Sequence, residues 1–133
     1  MESGEWSFGW FDAITGVFMS SAAYLKSKRF AIRIVKLFAF LRDEKKEYVI
    51  SKQLLRCGTS IGANLAEATC AISRNEFLSK VYIALKETVE TLYWLELLYD
   101  TGFMTSIQYN SIHKDAEELR LILSSTTKTL KES

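Results

Sequence analysis

From Lys28 onward, apolar positions recur every three or four residues and polar ones fill the gaps. That spacing belongs to amphipathic helices. In KRFAIRIVKLFAFLR, residues 28–42, Phe30, Ile34, Leu37 and Leu41 form one face. A charged link, DEKKE, follows, and a second helix is predicted over 47–71, with Ile50, Leu54, Cys57, Ile61, Leu65 and Ala68 as its core line. The third helix has a marked start. Ser73-Arg-Asn-Glu76 has the form of a capping box, in which the Ser hydroxyl takes a free backbone N–H and the Glu reaches back. Leu78, Val81, Leu85, Thr88, Leu92, Leu95 and Tyr99 then repeat at helical spacing, and Gly102 suits a C-terminal cap. A second box, Thr105-Ser-Ile-Gln108, opens a fourth helix along Tyr109, Ile112, Ala116, Leu119, Leu123 and Leu130. No strand-like alternation competes, and the chain has no proline to interrupt a helix. Helices joined by short links pack antiparallel to their neighbours. The expected fold is therefore all-α, an up-down-up-down four-helix bundle.

Composition narrows this further. At 133 residues, 48% hydrophobic and 25% charged, the chain suits one globular core. That domain is placed at 26–133, after an apolar N-terminal extension at 1–25. The run FGWFDAITGVFMSSAAYL, residues 8–25, carries Asp12 and two glycines and follows Glu2 and Glu5. A secretory signal would carry positive charge before its apolar stretch. A cytoplasmic, reducing location is expected, with no membrane span. Cys57 and Cys70 are read as small buried side chains; on one helix they would lie about 20 Å apart, too far for a disulfide. No internal repeat appears, and the only biased tract is the polar tail SSTTKTLKES.

The stretch LLRCGTSIGANLAEA, residues 54–68, sets two glycines inside a helical pattern. Each costs about 1 kcal/mol relative to alanine. Gly58, Gly62 and Ala66 fall four apart and make a seam without side chains, which admits a second helix backbone closely. A break at Gly58-Thr-Ser and the approach of a ligand are the other readings.

The same residues carry a resemblance. FAIRIVKLF, EYVISKQLLRCGTSIGANLAEA and FLSKVYIALKETVETLYWLELL together resemble the bacterial four-helix-bundle family of 23S rRNA intervening-sequence or ribosomal-protein-like proteins. The accessory protein of diversity-generating retroelements is a relative. The likeness covers 28–104 by motif and extends to about 125 by pattern, with Cys57 standing where serine is more usual. It implies an antiparallel four-helix bundle, homopentamers around an axis, and no catalytic residues. Relatives with a proposed role bind nucleic acid or assist a reverse transcriptase. Residues 1–18 have no counterpart in it, whereas MSSAAYLKSKRFA from Met19 looks like a family start. The first eighteen residues are read either as a native extension or as the product of a start codon placed too early.

Two surfaces suggest partners. On the third helix Ile83, Trp94, Leu97 and Leu98 lie largely opposite the expected core line, and a second apolar face with a tryptophan suits an interface. A ring-shaped homo-oligomer is expected, the pentamer following from the resemblance alone. The competing reading is that the extension, rich in Trp6, Phe8, Trp10 and Phe11, covers such residues within one chain. The second surface is basic. The net charge of +1 conceals −3 over residues 1–25, +7 over 26–56 and −3 over 57–133. Arg29, Arg33 and Lys36 share a face of the first helix, and Lys52 and Arg56 lie one turn apart on the second. Positive stripes attract phosphate backbones without reading bases. The plainer reading is a solvated face paired with Asp43, Glu44 and Glu47.

Catalytic chemistry finds little support. One histidine, His113, cannot build a zinc site, even with Glu117 on its face. Cys57 lies on the core line and makes a poor nucleophile. Ser60 and Ser73 have no nearby base. Gly58–Gly62 lacks the Lys-Ser/Thr of a phosphate loop. Asn64 and Glu67 are read as hydrogen-bonding across helices or subunits. The expectation is a non-enzymatic, oligomeric protein that binds RNA or DNA through its basic surface; the resemblance adds a reverse transcriptase as a partner. No cofactor, metal, membrane or small-molecule substrate is expected. The alternative is a structural or protein-interaction ring without nucleic-acid affinity.

Overall fold

The computed structural model describes residues 22–132. The aromatic extension, including Trp6, Phe8, Trp10 and Phe11, lies outside the described residues, and so does its proposed covering role. Four helices account for the described chain: α1 Ala22–Asp43, α2 Ile50–Ala68, α3 Arg74–Asp100 and α4 Ser106–Glu132, with no strand among the described residues.

Cross-helix pairs show the directions. Ile34 meets Gly58 while Ser27 meets Gly62, so α1 and α2 run antiparallel. Arg56 reaches Glu87 and Glu90 while Glu67 reaches Lys80, which reverses α3 against α2. Tyr99 stacks on Tyr109 at 4.4 Å, and Arg74 donates to the Leu130 carbonyl at 2.6 Å, which reverses α4 against α3. Lys26 pairs with Glu118 and Arg33 with Asp115, closing α4 back onto α1. The result is an up-down-up-down bundle around one apolar core. Phe30, Ile34, Leu41, Leu54, Ile61, Leu65, Phe77, Val81, Leu95, Leu98, Leu119 and Leu123 are its largest fully buried side chains.

Helix ends follow the expected chemistry, with corrections. The Ser73 hydroxyl accepts from Glu76 N–H at 3.0 Å, but the Glu76 carboxylate takes the Ile72 N–H, one residue before the cap. Thr105 and Gln108 bond reciprocally at 3.1 and 2.9 Å. Gly102 adopts φ 89°, and Gly102 and Phe103 donate to the Tyr99 and Leu98 carbonyls. This is a Schellman ending, which needs a left-handed residue. The second helix starts at Ile50, not 47, and ends at Ala68, not 71. Lys46 turns the chain with φ 56°, and the Glu47 carboxylate then accepts the N–H groups of Val49, Ile50 and Ser51. Glu47 is thus the cap of α2 and not a partner for the basic face. Burial works to raise its pKa, yet the Ile50, Ser51 and Val49 N–H bonds prevail and hold it below the usual carboxylate value. One other expectation changes: α1 already runs from Ala22, ahead of residue 28. α4 continues to Glu132 and buries Leu130, the last residue of its expected core line, together with Thr127.

The glycines of α2 allow close packing. The helix is continuous through both. A Cβ on Gly58 would lie 2.9 Å from both γ carbons of Ile34, and one on Gly62 would lie 3.2 Å from the Ser27 hydroxyl. Isoleucine fills the first notch; a buried serine, its hydroxyl donating to the Tyr24 carbonyl at 2.7 Å, lies over the second.

The buried stripe of α3 keeps Val81, Thr88 and Leu95 of the expected line and is rotated at its other positions. Phe77, Val81, Ala84, Thr88, Thr91, Leu95 and Leu98 are buried. Leu78, Leu85 and Leu92 are only partly buried, and Tyr99 is exposed. Small residues explain the rotation: Ala84 and Thr91 let neighbouring helices approach, and the Thr91 hydroxyl lies 3.2 Å from Cys57 Sγ.

Candidate nucleic-acid interface

The five basic residues singled out by sequence separate into two groups. Arg33 turns toward α4. Its Nη1 lies 2.5 Å from Asp115 Oδ2 and 3.3 Å from the Ser111 carbonyl, and its Nη2 donates to Ser111 Oγ at 2.8 Å. Arg56 turns toward α3 and pairs with Glu90 and, at 3.4 Å, with Glu87. The Arg56 hydrogen bond is the main reason the Glu90 carboxyl sits below the usual range, and a 2.9 Å bond from Trp94 Nε1 adds to it. Both arginines therefore spend their charge within the bundle. Half-exposed pairs of this kind add little stability, but they neutralise the positive stripe.

Arg29, Lys36 and Lys52 behave differently. All three are exposed, and among the described residues none forms an ion pair. Lys28, not singled out from sequence, is exposed in the same way. Its signal was available in the +7 segment but fell outside the four-three stepping used to define the stripe. Two of the three acids proposed to pair with this face do other work: Asp43 pairs with Arg42, and Glu47 caps α2.

The apolar candidates also divide. Leu98 is fully buried in the single-chain core, so it cannot form part of an outer face. This corrects its assignment, and the cause is the rotated stripe of α3. Ile83, Trp94 and Leu97 are half-buried, with Trp94 packed against the core and edge-on to Tyr93 at 5.0 Å. The most exposed face of α3 carries Tyr82, Val89 and Tyr93 instead.

Among the described residues, no three of His, Cys, Asp and Glu group closely enough to hold a metal ion. No helix among them is long and apolar enough to cross a membrane. Burial pushes the Cys57 thiol up to about 11, while the Thr91 hydroxyl opposes that rise. Cys70 is exposed in the turn after α2, which corrects the expectation that both cysteines are buried. His113 is half-buried beside the Tyr109 ring. Asn64 bonds within its own helix, to the Ser60 carbonyl, whereas Glu67 crosses to Lys80 at 2.8 Å.

A family model described as 23S rRNA-intervening sequence protein matches residues 19–125. The chain belongs to this family. Its match begins at Met19, the residue at which a family-like start was read from sequence. A solved structure agrees: a protein of unknown function from the S23 ribosomal protein family of Bacteroides thetaiotaomicron is 54% identical, over 80% of this chain and 95% of that one, with a TM-score of 0.78. No functionally curated protein matches the chain. For an intervening-sequence family member, then, the bundle and its helix order rest on sequence, packing and a solved relative together.

Proposed function

We propose that this protein is a non-enzymatic, oligomeric four-helix bundle that binds RNA or DNA through its basic surface, within the cytoplasm and as a partner of a reverse transcriptase. One observation carries the nucleic-acid reading: Arg29, Lys36 and Lys52 stand in solvent without ion pairs among the described residues, in a chain whose other stripe arginines are neutralised. Flexible, unpaired cations meet phosphates by charge alone, without sequence readout. A ring would repeat them in every subunit and multiply the attraction. The family name, which refers to an rRNA insertion, and the likeness to retroelement accessory proteins support the same reading.

Salt titration of binding to single- and double-stranded RNA and DNA tests it. The parent protein is expected to bind at low salt and to lose affinity steeply as salt rises. The variant Arg29→Glu/Lys36→Glu/Lys52→Glu is expected to lose most binding and to flatten the log–log salt slope by up to about 3. Equally weak binding by both proteins at low salt would overturn the proposal. Light scattering tests the assembly: a monomer alone at working concentration removes the ring.

A second reading, a protein-interaction ring without nucleic-acid affinity, is favoured by the half-buried Ile83, Trp94 and Leu97 and by the intramolecular use of Arg33 and Arg56. Assembly retained in a protein that ignores nucleic acid would select it.

A further inference from the structure

Between the outer faces of α1 and α2 lies an apolar groove of about 460 Å³. Its floor consists of the small residues Gly62, Ala63 and Ala66 on α2, and its wall includes Ile32 and Val35 on α1. Those two side chains are 49% and 51% exposed, and Leu25, earlier on the same helix, is 48% exposed. Half-exposed aliphatic residues beside a floor of glycine and alanine leave a concave surface that water covers poorly. Lys28 and Lys36 also line the groove, and neither has an ion pair among the described residues.

The chain itself holds a matching occupant. Residues 1–21 carry Trp6, Phe8, Trp10 and Phe11, three acids in Glu2, Glu5 and Asp12, and no Lys or Arg. We propose that this aromatic, acidic segment docks in the α1–α2 groove of its own chain, its aromatic rings on the apolar floor and its carboxylates beside Lys28 and Lys36. Reach is sufficient. The groove runs from Tyr24 to Lys36, about 18 Å of helix, and twenty-one residues span more than that in helical or extended form. The tether is short, because Tyr24 lies in the first turn of α1 after residue 21. A short tether holds the segment at high effective concentration over its own groove, ahead of any groove on another copy. Charge points the same way, since the segment is acidic and the groove is lined by Lys28 and Lys36, which have no ion pair among the described residues. The inference does not rest on nucleic-acid binding, and at Lys36 the segment's carboxylates and a phosphate backbone would compete. Residues 1–18 precede the family match, so it concerns a part of the chain that the family model does not cover.

Tryptophan fluorescence of the full chain tests it. The chain has three tryptophans, at 6, 10 and 94. Subtracting the signal of Trp6→Phe/Trp10→Phe isolates the two in the segment. They are expected to emit at shorter wavelength, and to be quenched by acrylamide severalfold less, than free indole. In Ile32→Asp/Val35→Asp, whose altered side chains are half in solvent, the bundle should keep its helical circular dichroism. Its Trp6 and Trp10 should shift to the red and become severalfold more quenchable. Lys28→Glu/Lys36→Glu, which leaves the apolar floor intact, should show a smaller shift in the same direction and serves if the first variant loses helix content. Quenching like that of free indole in the parent would overturn the proposal. So would a signal unchanged in both variants. Protection that falls on dilution, in step with the mass from light scattering, would place the segment on a second copy and overturn docking within one chain.

Discussion

The α1–α2 contact has two halves, and they are built on the same device with opposite results. At Gly58 the missing side chain is replaced by Ile34, whose γ carbons would lie 2.9 Å from an added Cβ. At Gly62, one turn on, the nearest atom is the Ser27 hydroxyl at 3.2 Å, and the outer edge of the residue opens into the groove. Four-residue spacing is shared; what differs is the side chain that arrives from α1. A bulky branched residue converts a glycine into a lock. A serine leaves the second glycine open to the outer groove.

This contrast can be broken by mutation, and the largest effect belongs to the lock. Ile34→Ala removes a fully buried side chain opposite a residue that has none to fill the space. A loss of about 3–4 kcal/mol in urea unfolding is expected. In that background the sign of Gly58→Ala should reverse, because the new methyl meets a cavity and gains helix propensity.

Next is Glu47, which pins the start of α2 on the Gly58 side. Glu47→Gln should cost about 1–2 kcal/mol, since a charged acceptor for three backbone N–H groups is lost. The direction with pH follows from its lowered pKa. The contribution is present above the ordinary value of 4.5 and is lost as pH falls through the lower folded value. The stability difference between parent and variant should therefore shrink below about pH 4.5 in acid unfolding curves.

Gly58→Ala alone is expected to destabilise by about 1 kcal/mol, as strain against Ile34 exceeds the gain in helix propensity. Gly62→Ala should fall within about 0.5 kcal/mol of the parent, since a few tenths of an ångström at Ser27 offset that same gain. Equal effects at the two glycines, measured by the same denaturation, would erase the distinction between the locked glycine and the open one.

Much of the fold was legible because periodic apolar residues and local caps act over short distances. Ser73, Thr105 and Gly102 announce helix ends through bonds to residues no more than five positions away. The start of α2 was harder to read. Glu47 caps from outside the helix by way of a left-handed Lys46, and nothing in DEKKE distinguishes that carboxylate from its neighbours. The orientation of α3 was misjudged because leucines outnumber small residues in its pattern. Packing against α2 favours Ala84 and Thr91 instead, and so carries Leu98 inward.

The candidate interface was legible in charge but not in availability. Arg33 and Arg56 look no different from Arg29 in sequence. Only the facing helices reveal Asp115 and Glu90 waiting for them. Sequence spacing gives the face of one helix; it does not give what the opposite helix presents to it.

Cys57 lies between α2 and α3, fully covered, while Cys70 stands in the open. Each chain thus carries one thiol that a maleimide can reach at once and one that reacts only when those two helices part. The rate of the second labelling would time the breathing of the bundle without any engineered probe.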